Sequence, residues 1–106
     1  MTTLTHEAFS QQLNTTFQTR VEGDTCVQLQ LTAVSELLQT PRQERFSIEF
    51  RGSADRFLGQ GMRELEHPKM GMIDLFLVPI GHDEQGYYYE SVFNRLRQQP
   101  AASLQT

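Results

Sequence analysis

Strict alternation of apolar and polar residues through the middle of the chain constrains its fold most. In "CVQLQLTAVSELL", Val27, Leu29, Leu31 and Ala33 share one parity, and Gln28, Gln30 and Thr32 take the other. In "RFSIEFRG", Phe46, Ile48 and Phe50 alternate with Ser47, Glu49 and Arg51, and Gly52 ends the run. Period two is the signature of half-buried antiparallel strands, with one face on a core and one on water. "TFQTRV" from Thr16 reads as an earlier strand, joined to the next by a turn at Glu22 to Asp24. "QTPRQE", Gln39 to Glu44, reads as a polar loop, and "SADRFLGQG" as another, with Gly59 and Gly61 at its turn positions.

The second half carries more strand signals. "MRELEH" is short, and Met62 and Leu65 differ in parity, which predicts a bulge or an edge position. "HPKMG" reads as a hairpin connection. The following "MIDLFLVPI" is apolar on both parities from Leu75 to Val78, which predicts a central strand or one covered on both faces. Pro79 belongs at its end or at a bulge. "GHDEQG", Gly81 to Gly86, reads as a longer turn, and "YYYESVFN" as the last strand.

Only the start of the chain has helical character. In "THEAFSQQL", Thr5 can cap the first N–H groups, Phe9 and Leu13 fall on one face, Leu4 can staple back, and Asn14 is a left-handed stop. So short a helix must dock on something, at one end or edge of a sheet. The expectation is a mainly β fold: a small antiparallel barrel or sandwich of about six strands with one N-terminal helix. One domain is expected over residues 1–94, with a disordered tail expected over residues 95–106.

Composition narrows the function. The 106 residues carry thirteen acids against nine bases, for a net charge of −4, and the bases are scattered. A nucleic-acid partner wants a basic patch, so none is expected. No segment reads as a signal peptide or a membrane span, which sets a cytoplasmic expectation with no membrane insertion. Cys26 is the only cysteine and is expected to be a small buried hydrophobe.

Three groups of residues could carry chemistry or binding. Glu66, His67 and Asp74 lie close in sequence, but Glu66 and His67 face opposite ways on a strand, so a turn histidine is favoured over a metal or acid–base site. Arg51 is expected to hold a carboxylate, from Asp55, Asp74 or Glu90. Tyr87, Tyr88 and Tyr89, with Arg51 and His82, are the candidate partner-binding surface. No nucleophile elbow, phosphate loop or metal-ligand spacing is present, so no catalytic residue, metal or cofactor is expected.

The ordered motifs from Phe46 to Asn94 carry a family resemblance. "FSIEFRG", "GQGM", "LEHPKMG", "LFLVPIG" and "YYYESVFN" are similar to the pattern of a family of small bacterial proteins catalogued as a domain of unknown function. The opening "LTHEAFSQQLNTTF" resembles that family's usual start. Some relatives occur near proteins with phage-tail-collar-like domains. The resemblance implies no activity. The leading expectation is a non-enzymatic interaction or structural module, an accessory of a phage-tail-like or surface fibre system, with a protein partner and possible self-association. A small-ligand-binding barrel and a small hydrolase at Glu66, His67 and Asp74 are the alternatives.

Overall fold

The computed structural model describes residues 4–21 and 25–96. Helix α1 (His6–Gln11) precedes β1 (Thr16–Val21), β2 (Thr25–Val34), β3 (Leu38–Gln39), β4 (Gln43–Gly52), β5 (Gly61–His67), β6 (Gly71–Asp83) and β7 (Gly86–Leu96). The strands run in the order β2-β1-β5-β6-β7-β4-β3, and β2 also pairs with β4. That second pairing closes six antiparallel strands into a barrel, with β3 as an added strand outside it. Closure removes two sheet edges that would otherwise expose unpaired backbone groups.

Inward positions follow the alternation. Phe17 of β1, Leu29 and Leu31 of β2, Ile48 and Phe50 of β4, Leu65 of β5, Leu77 of β6 and Tyr89 of β7 are all fully buried. Each such side chain contributes about 1.5–3 kcal/mol. Their volumes occupy the interior, the space that an enclosed ligand would need.

Separate devices plug the two ends. At one end, Thr5 accepts a hydrogen bond from Ala8 N and starts α1. Asn14 has a φ of 70° and turns the chain into β1. Phe9 is buried against Phe46 and Phe93. Leu13 does not join it: the helix stops at Gln11, and Leu13 is exposed. At the other end, the β4–β5 loop folds Leu58 inward, where its N–H donates to the Tyr89 hydroxyl at 2.9 Å.

Several expectations change. The register of β2 on β4 shifts between Leu31 and Ala33, so Thr32 is the extra residue of a bulge, and Val34 instead of Ala33 returns to the core. β5 has an unbroken register with β6 and lies between β1 and β6, so it is neither bulged nor an edge. The bulge lies in β6 on β7, beside Pro79, where the missing N–H is tolerated. Strand β6 runs on to Asp83, leaving only Glu84 and Gln85 in the turn. The segment read as a polar loop contributes Gln39 to β3, and β7 takes in Arg95 and Leu96, which were assigned to the tail. Residues 97–106 and the turn at 22–24 lie outside the described residues.

Candidate functional site

His67 resolves the Glu66–His67–Asp74 question. It is the last residue of β5, and the alternation turns it into the barrel end, where it is only 4% exposed. Its Nδ1 accepts from the N–H groups of Lys69 and Met70, at 3.0 and 3.2 Å. The Thr15 hydroxyl donates to Gln12 O, so it accepts from His67 Nε2 at 2.9 Å. These bonds fix a neutral ring protonated on Nε2. Burial, and then the Lys69 charge, hold its pKa below the ordinary value. The ring is a structural brace, tilted by 39° against Phe17 with the ring centres 4.3 Å apart. Glu66 and Asp74 face outward, so the three side chains do not converge. Among the described residues no group of three His, Cys, Asp or Glu could hold a metal ion.

The tyrosines separate by parity. Tyr89 is fully buried, and this removes it from the candidate surface. Burial raises its pKa. Tyr87, on the same parity at the barrel end, is half-buried against Phe57 and His82. Tyr88 points outward, and its hydroxyl donates to Asp83 Oδ2 at 2.9 Å. Tyr89→Phe takes the acceptor from the buried Leu58 N–H and is expected to cost about 1–3 kcal/mol. Tyr88→Phe loses an exposed bond and should change stability by less than about 0.5 kcal/mol. Urea unfolding of the two variants measures the contrast.

Arg51 sits opposite Gln30 on β2 and Tyr88 on β7, in one outward row. Its guanidinium donates to Gln30 Oε1 and, from Nη1, to Gln85 Oε1 at 3.0 Å. Two amide oxygens therefore stand where a carboxylate was expected: among the described residues Arg51 forms no ion pair with Asp55, Asp74 or Glu90, although Glu90 lies only one outward row from Tyr88 and Asp55 lines the same cleft. Arg51 thus ties the β6–β7 turn to β2 across β4. It also borders an outer cleft of about 650 Å³ with Gln28, Ser53, Asp55 and Arg56. Cys26 lines the same cleft and is exposed, not buried, because its parity is opposite to that of Val27 and Leu29.

The largest departure concerns β6. Its run from Leu75 to Val78 is covered on one face only. Leu75 and Leu77 point inward, whereas Phe76 is 46% exposed and Val78 half-buried on the outside. Met62 of β5 lies directly opposite Phe76. Met72 and Ile80 on β6, and Val92 on β7, extend the exposed apolar surface. A cue was present in the sequence: the only helical segment is too short to cover a sheet face and also plug a barrel end.

Carboxylates interleave with this surface. Glu64 is opposite Asp74, Glu66 opposite Met72, and Glu49 opposite Glu90, which in turn faces Val78. Among the described residues these five carboxylates form no ion pair. Like charges directly opposite on a sheet are unfavourable. The β5–β6–β7 side therefore sets facing carboxylates beside exposed hydrophobes.

A closed antiparallel barrel with a filled core and an outward apolar–acidic face is the class of protein these observations define. The chain belongs to the family described as a domain of unknown function, DUF6916, whose model matches residues 4–93. No curated protein and no solved structure matches it. No helix among the described residues is long and apolar enough to cross a membrane.

Proposed function

We propose that this domain is a non-enzymatic protein-interaction module, and that it docks its partner on the outer face of β5, β6 and β7. The observation that carries the reading is the exposure of Met62, Met72, Phe76, Ile80 and Val92 on that side of a barrel whose core is already complete. Met and Phe are enriched at the centres of protein interfaces, and here exposed Met62 and Phe76 sit directly opposite each other on paired strands. Tyr88, with Arg51 and His82 beyond it, forms a polar rim toward the β6–β7 turn. The resemblance of the LEHP and LFLVPIG motifs to relatives near phage-tail-collar-like proteins supplies a setting: an accessory or assembly factor of a phage-tail-like or surface fibre system.

Native mass spectrometry of the protein purified gently from its own cells tests this. The wild type is expected to carry a stoichiometric polypeptide that is lost on denaturation. The Met62→Ser/Phe76→Ser variant should fold and lose that subunit. A variant that keeps the subunit, or a wild type that remains a bare monomer even after cross-linking in the cell, would contradict the reading.

A further inference from the structure

The charges on this face say more about what it docks. We infer that the partner segment is cationic and amphipathic: apolar side chains flanked by Lys or Arg. This rests on the docking reading and adds the partner's chemistry. Across β5 and β6 the face is built in rows. Met62 and Phe76 form an apolar row, Glu64 and Asp74 an acidic row, and Glu66 and Met72 a mixed one. Successive outward rows on a strand lie about 7 Å apart. A segment that places an apolar residue over Met62 and Phe76 therefore places a side chain one row on over two facing carboxylates. A cation there meets complementary charge. An apolar and a basic residue two apart on an extended segment, or three to four apart on a helix, match that spacing.

Other occupants fit less well. A second copy docked face to face with its two-fold axis over the acidic row brings Glu64 and Asp74 against the same carboxylates, and like-charge juxtaposition opposes that contact. An anionic lipid surface meets the same repulsion. Toward β4 the charges are mixed: Glu49 and Glu90 face each other, but Arg45 lines an outer cleft with Glu90 and Val92, and Arg20 lies beside Glu64 and Glu66 around a small outer cleft, so the uncompensated carboxylates are centred on β5 and β6. Methionine suits such a site, because its flexible thioether moulds to varied apolar side chains.

Two labelled synthetic peptides test the inference, with the same leucine positions and either lysine or glutamate at the polar ones. Fluorescence anisotropy on the full chain should show the lysine peptide binding at least about tenfold tighter, an advantage that shrinks as salt is added. Glu64→Gln/Asp74→Asn should remove most of that advantage while leaving the melting temperature equal or higher. Equal binding of both peptides would overturn the cationic partner yet leave the apolar docking face intact. Lysine-peptide binding that is unchanged in the double variant would also overturn it. If neither peptide binds while Met62→Ser/Phe76→Ser still strips the native subunit, the charge inference falls and the docking reading survives.

Discussion

Gly86→Ala is expected to destabilise the barrel by about 3 kcal/mol, lowering the melting temperature by roughly 12–24 °C. Gly86 opens β7 with a φ of 147°, a conformation that L side chains rarely adopt. The position is also crowded. A Cβ there would lie 1.9 Å from the carbonyl oxygen of Gly52 and 3.1 Å from its carbon. Both atoms are backbone, at the end of β4, where Gly52 pairs with Tyr87. Relief requires moving the β6–β7 turn off β4, and with it the Gln85 amide that holds Arg51. Gly59→Ala is the control, because nothing lies within 4 Å of its Cβ position, and its φ is not in the left-handed region. Thermal unfolding of the two variants beside wild type decides the point, and a Gly86→Ala protein as stable as Gly59→Ala would refute it.

His67→Ala should cost about 2–4 kcal/mol, since it leaves two N–H groups without their acceptor and opens a void beside Phe17. The same ring sets a pH dependence. Its folded pKa lies below the ordinary 6.5. Below 6.5 the unfolded chain takes up a proton that the folded chain refuses, so this contribution is complete above pH 6.5 and is lost as pH falls toward the folded value. His67→Asn keeps a side-chain oxygen able to accept from the turn, as in an Asx-turn. It should recover part of the lost stability and flatten the change between about pH 7.5 and 5. Denaturant unfolding across that range measures both effects. An unaltered slope in His67→Asn would assign the pH dependence to other groups.

Much of this architecture is legible in the residues, because each strand reports its own burial. Phe46, Ile48 and Phe50 declare one face of β4, and Thr5 and Asn14 mark the ends of the helical turn. What alternation does not report is closure. The β2–β4 pairing joins segments separated by a loop, and its bulge at Thr32 inverts the parity of Ala33 and Val34. Cys26 shows the opposite case: its parity with Gln28 and Gln30 already placed it outside, and residue type was the poorer guide. Tyr89 and Tyr88 differ by one position and by everything in environment, which composition alone conceals. The exposed apolar residues of β6 were hidden because an apolar run on both parities reads as doubly buried within one chain. Among the described residues none supplies the second cover.

Methionine oxidation footprinting tests the proposed docking face most directly. Dilute peroxide is applied to the protein in its host-purified assembly and to the same protein after its partner is stripped, and each methionine is read by mass spectrometry. Met62 and Met72 are 63% and 56% exposed on the proposed face, while Met70 is 4% exposed and serves as the internal reference. Met62 and Met72 are expected to oxidise readily in the stripped protein and to be protected in the assembly, with Met70 slow in both. Equal oxidation of Met62 and Met72 in the two states, with the partner demonstrably bound, would place the interface elsewhere on the barrel and contradict the account.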